Sequence, residues 1–191
     1  LTVACKCNSE SGLASAPLCG RGGWWKLRGM ERELEGLARR LGRCLEAADL
    51  KLATAESCTG GWIAKAVTDL PGSSDWFGYG LVTYSNEAKQ ELLGVPATTL
   101  IEHGAVSEAT VRAMAEGALR QGGADVAVAV SGVAGPGGGS ADKPVGTVWF
   151  AWAVMDGGGL RTLARVERYD GDREAVRRQT VATALAEILK L

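Results

Sequence analysis

The sequence has only one histidine, His103, in 191 residues. A zinc site built from histidines needs several such ligands, and a Ser-His-Asp triad would depend on this one residue. The scarcity of histidine therefore argues against both kinds of site. We predict a chemistry that uses no metal and no other cofactor.

Neither sign of charge dominates, and no long hydrophobic run is present. The chain carries 21 Lys and Arg against 22 Asp and Glu, a formal net charge of -1. This balance gives no bulk attraction to nucleic acid or to an anionic membrane, although a local anion site remains open. No apolar stretch approaches the roughly 20 residues that span a bilayer. We therefore predict neither nucleic acid nor membrane as a partner.

The cysteines do not form the pattern of a disulfide framework. Their number is odd and their spacing is irregular: Cys5, Cys7, Cys19, Cys44 and Cys58. Such usage is typical of a reducing compartment, so we predict a cytoplasmic location. A metal site at the first three cysteines lacks an evident fourth ligand.

The chain divides into two segments of different character. Residues 1–29 are rich in Gly, Ser and Cys, have no sustained period and make a poor signal peptide. We predict that they form an extension, disordered or not native to the protein. From Met30 the apolar residues recur at helical spacing, so residues 30–191 are predicted to be a single domain.

Helical and strand-like segments alternate over residues 30–191. The predicted helices begin at Met30, at Trp62, at Asn86, after Ser107 and at Arg173. The predicted strands are 51–55, 79–84, 125–130, 145–155 and 160–169. The run at 125–130 is continuously apolar, as in a strand buried on both faces. The pattern predicts an α/β three-layer sandwich with a mixed central sheet flanked by helices.

Three strands lead into loops of small or polar residues, where ligands bind in open α/β sheets. The first loop holds Ser57 ahead of a helix, whose free N–H groups favour an oxyanion or a phosphate. The same residues are also typical of an ordinary helix cap at Ser57 or Thr59. Cys58 is a rival nucleophile, because thiols at helix N-termini have a lowered pKa, or else a small buried residue.

The second loop follows Tyr84 and leads to Lys89 within about one helical turn. A lysine acts as a general base only if its surroundings lower its pKa from about 10.4. The alternative to a catalytic Lys89 is a solvated helix lysine, and the alternative to a catalytic Tyr84 is an ordinary half-buried strand residue.

The third loop, Gly132–Lys143, is rich in glycine and suits close approach to a ligand, although a merely flexible loop is equally compatible.

Four ordered motifs together resemble one known family. They are ESCTGG (56–61), YSNEAK (84–89), SGVAGPGG (131–138) and GDR (171–173). The chain from about Met30 to Leu191 closely resembles the C-terminal domain family of the competence/damage-inducible protein CinA. That family includes stand-alone nicotinamide-nucleotide amidohydrolases.

The resemblance implies hydrolysis of nicotinamide mononucleotide to nicotinate mononucleotide and ammonia. It assigns Ser57 as nucleophile, Lys89 as its base and Tyr84 as an assisting residue. Residues implied to contact substrate are Glu56, Cys58, Thr59, Gly60, Gly61, Ser131, Gly132, Gly135, Pro136, Gly137, Gly138 and Arg173. Relatives of this domain also suggest a homo-oligomer. A serine–lysine arrangement is a known variant of triad chemistry that needs no histidine.

Two other functions remain open from the sequence. A nucleotide-binding or partner-binding module without turnover would keep the glycine-rich loop but would not need a lysine of lowered pKa. A role in DNA uptake is suggested only by the family's name, and the neutral charge balance argues against it.

Overall fold

A computed structural model describes the chain from Trp24 to Leu191. Helices and strands alternate through this range. The helices are α1 (Trp24–Ala48), α2 (Trp62–Thr68), α3 (Asn86–Leu93), α4 (Ala97–His103), α5 (Glu108–Gly122) and α6 (Arg173–Ile188), with a 3₁₀ turn at Ser73–Asp75. The strands are β1 (Leu52–Glu56), β2 (Phe77–Val82), β3 (Val126–Gly132), β4 (Thr147–Asp156) and β5 (Gly159–Arg168).

The five strands form one mixed sheet in the order β2-β1-β3-β4-β5. The first three of these strands are parallel, and β4 and β5 are added antiparallel. Glu56 at the end of β1 pairs with Val82 of β2 and Val130 of β3. The carboxyl ends of three parallel strands therefore lie along one edge of the sheet.

One face of the sheet packs against α1, α2 and α6. Strand β3 contributes Val126, Val128 and Val130 to this face, and β4 adds Phe150. The helices cover these side chains with buried leucines, isoleucines and valines. Burying such side chains contributes about 1.5–3 kcal/mol each, so this layer accounts for much of the core.

The opposite face is lined by smaller residues and packs against α3, α4 and α5. Alternate residues of β3 on this face are Ala127 and Ala129, opposite Met114 of α5 in the same cluster. Their small side chains allow α5 to lie close to the sheet. Helices on both faces complete the three layers, and the predicted α/β sandwich is confirmed.

Three elements differ most from the sequence prediction. Strand β2 is Phe77–Val82 rather than 79–84, so Tyr84 lies beyond the strand and is exposed rather than half-buried. Helix α1 begins at Trp24 rather than Met30, because the residues before Met30 include the good helix formers Lys26 and Leu27. Helix α4 was not predicted, because it is short, contains two threonines and buries only Leu100. Predictions about residues 1–23, including Cys5, Cys7 and Cys19, fall outside the described residues.

Over the described residues, no helix combines the length and the apolar character needed to cross a membrane.

Candidate active site

The three predicted loops lie at the same edge of the sheet. Ser57 directly follows β1, Tyr84 lies two residues beyond β2, and Ser131 lies near the end of β3. Because these strands are parallel, their carboxyl ends place the three loops side by side. Alternation along the strands directs Ser57 and Ser131 to the face that carries α3 and α5.

Ser57 and Lys89 form the closest contact between two of the predicted catalytic side chains. Lys89 Nζ lies 3.2 Å from Ser57 Oγ. The Ser57 backbone N–H donates to the carbonyl of Val130 at 3.0 Å, which fixes the nucleophile loop to β3. The two side chains are therefore within hydrogen-bond reach, the geometry required of a nucleophile and its base.

The amine of Lys89 is held inside the protein by backbone carbonyls. Its Nζ lies 2.8 Å from the oxygen of Thr83, 3.3 Å from that of Tyr84 and 3.4 Å from that of Ser85. Ser85 caps α3 by accepting the N–H of Ala88, so Lys89 leaves the first turn and reaches back over the loop.

Burial lowers the pKa of this lysine. Only 1% of Lys89 is exposed, and no ion pair in the described part of the chain includes it. Desolvation lowers the pKa of Lys89, while nearby Cys58 and Glu87 oppose this more weakly. An unprotonated amine has two N–H donors for carbonyls and one lone pair that can accept the hydroxyl proton of Ser57.

Cys58 points away from this pair into the core beneath α1 and α6. Its thiol is buried, and burial raises its pKa to about 12. Of the two alternatives for Cys58, the small buried residue therefore fits the structure, and the nucleophile with a lowered thiol pKa does not. A protonated, buried thiol is a poor nucleophile, so the geometry favours Ser57 over Cys58.

Glu56 explains why the helix N-terminus does not activate the thiol. Its carboxylate is fully buried and accepts the N–H groups of Gly61 at 3.1 Å, Ile63 at 3.0 Å and Ala64 at 2.8 Å. These are the free donors at the start of α2, so Glu56 is the anion that the helix dipole holds. The site predicted there for a substrate anion is thus filled by the protein's own carboxylate.

Replacing Glu56 with glutamine is expected to destabilise the fold. The amide retains one acceptor oxygen but presents an NH₂ group to backbone donors, leaving at least one buried N–H unpaired. We expect a loss of about 1–3 kcal/mol in the free energy of unfolding, measured with urea. Glu91→Gln, on the exposed side of α3, is the control and should change it by no more than about 0.5 kcal/mol. Equal stability of Glu56→Gln and the wild type would contradict this role.

Two backbone donors of the nucleophile turn remain available. Gly60 N–H donates to the carbonyl of Ser57 at 3.1 Å, and Gly61 N–H donates to Glu56. Among the described residues, no acceptor pairs with the N–H of Cys58 or of Thr59. Of the four residues at 58–61 that were implied to contact substrate, Cys58 and Thr59 therefore have backbone N–H groups without a protein acceptor in the described part of the chain.

Tyr84 and Arg173 connect the second loop to the glycine-rich loop. Arg173 donates to the Tyr84 hydroxyl at 3.0 Å and to the carbonyl of Gly135 at 2.7 Å. The Tyr84 side chain is 61% exposed, so its ring lines the open side of the site. Arg173 itself is exposed at the start of α6, so its guanidinium can still bind an anion.

The glycine-rich loop is close to other backbone at its base and open at its tip. A Cβ on Gly132 would lie 2.6 Å from the carbonyl oxygen of Thr147, and one on Gly135, at φ +84°, would lie 2.7 Å from Val145. Pro136, Gly137 and Gly138 are exposed. Over the described residues, no hydrogen bond joins these three to the Ser57–Lys89 pair.

Ser131 is buried and already has a partner. Its hydroxyl donates to the carbonyl of Ala105 at 2.7 Å, in the loop between α4 and α5. Thr59 is also fully buried, and its hydroxyl has no partner in the described structure. In the described structure, neither hydroxyl forms a hydrogen bond to a group on the open side of the site.

Arg177 belongs to the site but was not predicted from the sequence. Its Nε donates to the carbonyl of Cys58 at 3.1 Å, and a terminal nitrogen donates to that of Thr59 at 2.6 Å. The available signal was its position four residues after Arg173, which places both on one face of a helix.

A cavity of about 810 Å³ lies on the other side of the nucleophile turn, between α1, α2 and α6. It touches Gly60 and Gly61 but not Ser57, Lys89 or Tyr84. We place the candidate site at the serine and lysine, because the pairing of a hydroxyl with a desolvated amine is chemically specific and a cavity alone is not.

Fold and site together define an α/β domain with a serine–lysine pair at the carboxyl ends of parallel strands. Residues 34–191 match the model of the CinA C-terminal domain family. The chain belongs to that family.

Relatives and solved structures agree with this assignment. The chain is 56% identical over 155 residues to nicotinamide-nucleotide amidohydrolase PncC of Escherichia coli strain K12, covering 81% of this chain and 92% of that protein. It is 56% identical to PncC of Pseudomonas putida over 81% and 94% of the two chains. The structure of a competence/damage inducible protein from Agrobacterium tumefaciens superposes with a TM-score of 0.78 at 47% identity, over 82% and 94% of the chains.

Proposed function

We propose that this chain is a nicotinamide-nucleotide amidohydrolase that converts nicotinamide mononucleotide to nicotinate mononucleotide and ammonia. The relatives named for this activity are 56% identical and are covered almost completely. The observation that carries the proposal is the 3.2 Å contact between Ser57 and a lysine that is 1% exposed.

The first chemical step uses the buried amine as a base. Unprotonated Lys89 accepts the Ser57 proton as the hydroxyl oxygen attacks the carboxamide carbon. The carbonyl oxygen becomes an oxyanion, and Lys89 becomes an ammonium held by the carbonyls of Thr83 and its neighbours. The same carbonyls accept hydrogen bonds from Lys89 before this step as well as after it.

The oxyanion needs donors that no other acceptor uses. The N–H groups of Cys58 and Thr59 meet this condition beside Ser57. One good donor of this kind contributes about 3–4 kcal/mol to the stabilisation of the transition state. We assign the Glu56 carboxylate to holding α2 rather than to binding substrate.

Collapse of the intermediate releases ammonia. The C–N bond breaks as the leaving nitrogen takes the proton from Lys89, and an ester with Ser57 remains. Water then attacks the ester carbon as Lys89 accepts a proton from it, and the bond to Ser57 Oγ breaks as that oxygen takes the proton from Lys89. The products are a carboxylate on the pyridine ring and the regenerated hydroxyl of Ser57.

The exposed groups on the open side suit the rest of the nucleotide. Arg173 is a candidate contact for the phosphate, and the Tyr84 ring it holds offers a surface for the substrate. The loop from Gly135 to Gly138 borders the same space through its contact with Arg173.

Incubation of the purified protein with nicotinamide mononucleotide is expected to release ammonia and nicotinate mononucleotide in equal amounts. Because Lys89 supplies the base, the rate should survive a chelator such as EDTA. Ammonia is measured with a coupled enzyme assay and the nucleotide by chromatography. No turnover of any nicotinamide nucleotide, with the protein folded, would contradict the proposed function.

The binding module without turnover is disfavoured by one observation. Burying a lysine without a carboxylate partner is costly, and a protein that only binds a nucleotide has no use for it. Titration of Lys89 near its ordinary pKa of about 10.4 would restore that alternative.

The predicted homo-oligomer and cytoplasmic location stay predictions. The exposed apolar residues Leu160, Leu163 and Val166 on the edge strand β5 are consistent with contact to a second copy. The described cysteines, Cys44 and Cys58, are free and buried, in keeping with a reducing compartment.

A further inference from the structure

Arg177 holds two consecutive carbonyls of the nucleophile turn. Its guanidinium, on α6, donates to the oxygens of Cys58 and Thr59 and lies 5.4 Å from the centre of the Trp62 ring. The side chain is partly buried between α6 and the turn. The planar guanidinium thus fixes two adjacent peptide groups at once. A lysine ammonium does not have donors in this fixed arrangement.

The direction of a carbonyl determines the direction of the next N–H. In a trans peptide the C=O of one residue and the N–H of the following residue point in opposite directions. The peptide that joins Cys58 to Thr59 points its carbonyl at Arg177, on the face of the sheet that carries α6. The N–H of Thr59 must therefore point the other way, toward the face that carries Ser57 and Lys89.

The neighbouring peptides show why this contact matters. Gly60 N–H donates to the carbonyl of Ser57, and Trp62 N–H donates to that of Thr59 at 3.3 Å. These bonds hold the end of the turn, but none of them fixes the peptide between Cys58 and Thr59. Over the described residues, Arg177 is the group that hydrogen-bonds to the carbonyl of this peptide.

We propose that Arg177 is a positioning residue that aims the Thr59 N–H at the oxyanion formed on the carboxamide attacked by Ser57. The inference rests on the proposed function, since it assigns the donor for that reaction. Arg177 contacts the turn from behind and does not touch substrate. A role limited to packing α6 against Trp62 would change stability but not the stabilisation of the transition state.

The test compares Arg177→Met with Arg178→Met in the purified full chain. Arg177→Met keeps most of the apolar part of the side chain and loses the guanidinium. The second removes a neighbouring arginine that forms no hydrogen bond or ion pair in the described structure. We expect Arg177→Met to lower kcat for nicotinamide mononucleotide about 10–100-fold with little change in KM. Arg178→Met should retain the wild-type kcat.

Rescue and labelling separate positioning from packing. Methylguanidine should restore part of the kcat of Arg177→Ala, because it can reoccupy the space between the two carbonyls. A fluorophosphonate probe, which forms a phosphonate ester on Ser57 and releases fluoride, should label Arg177→Met more slowly than the wild type by a similar factor. Ser57→Ala gives the unlabelled background. Arg177→Lys, which keeps the charge near Trp62, serves if the methionine variant does not fold.

The outcomes distinguish this inference from the proposed function. If the wild type turns over no nicotinamide nucleotide, the proposed function fails, while the rate of Ser57 labelling still tests Arg177. If the wild type is active, a kcat of Arg177→Met within about twofold of the wild type would overturn the inference. So would a lower kcat without rescue and with unchanged labelling of Ser57.

Discussion

Ser57→Ala is expected to reduce the turnover of nicotinamide mononucleotide by about 10⁴–10⁶-fold without unfolding the protein. The hydroxyl of Ser57 is the atom that would form the ester, and Lys89 Nζ lies 3.2 Å from it. Removing it leaves only the oxyanion donors and substrate binding to accelerate hydrolysis. Because Ser57 is only half-buried and its backbone N–H still bonds to Val130, the fold should persist.

Two further variants serve as controls for the loss of activity in Ser57→Ala. Cys58→Ala should retain most of the turnover, because the buried thiol takes no part and alanine keeps the backbone N–H. Ser74→Ala, at an exposed position of the 3₁₀ turn, controls for the substitution itself. Rapid-mixing assays should show a burst of ammonia in the wild type if hydrolysis of the ester is slow, and mass spectrometry should then find the acyl group on Ser57. Activity in Ser57→Ala together with its loss in Cys58→Ala would make the nucleophile assignment wrong.

The sandwich could be predicted because its elements follow strong local rules. The continuous apolar run of β3 indicated a strand buried on both faces, and α5 had a capping serine at Ser107 and a terminal glycine at Gly123. Helix α4 lacked such signals: it follows Pro96 without a side-chain cap and buries little. Its position depends on packing against α5, which is a tertiary property.

Part of the candidate site could also be predicted from local sequence, and part depends on tertiary contacts. The motifs indicated Ser57 and Lys89, but they could not show that backbone carbonyls rather than a carboxylate surround the amine. They also placed Glu56 with the substrate-binding residues, whereas the structure gives its carboxylate to α2. Arg177 lies more than a hundred residues from the turn it holds, a contact that no local pattern records.

Lys89→Met is expected to lower turnover by about 10²–10⁴-fold, the usual contribution of a general base. Lys89→Arg should lose at least as much, because a guanidinium stays protonated at any accessible pH.

In the wild type, kcat/KM should rise with pH as Lys89 loses its proton and should form an acidic limb below the ordinary pKa of lysine. Combining Lys89→Met with Ser57→Ala should cost little more than Ser57→Ala alone, since the two residues act as a unit.

The same lysine should make stability depend on pH. Its pKa is lowered in the folded protein by burial and returns to about 10.4 on unfolding. Between those two values the unfolded chain binds more protons, so the free energy of unfolding rises with pH across this window. Below the folded pKa the charged amine is buried and the penalty is fully present. Urea unfolding from about pH 6 to about pH 10 should show this slope in the wild type and a flatter one in Lys89→Met.

Activity and stability then report on a single proton. If Lys89 is the base, the acidic limb of kcat/KM falls at the pH where the wild-type stability begins to rise, because both report the folded pKa of the same amine. Glu87 lies on the same helix and opposes the shift, so Glu87→Gln should move both features to lower pH together. An acidic limb that stays in place while the stability curve moves would mean that another group accepts the Ser57 proton, and the serine–lysine mechanism would be wrong.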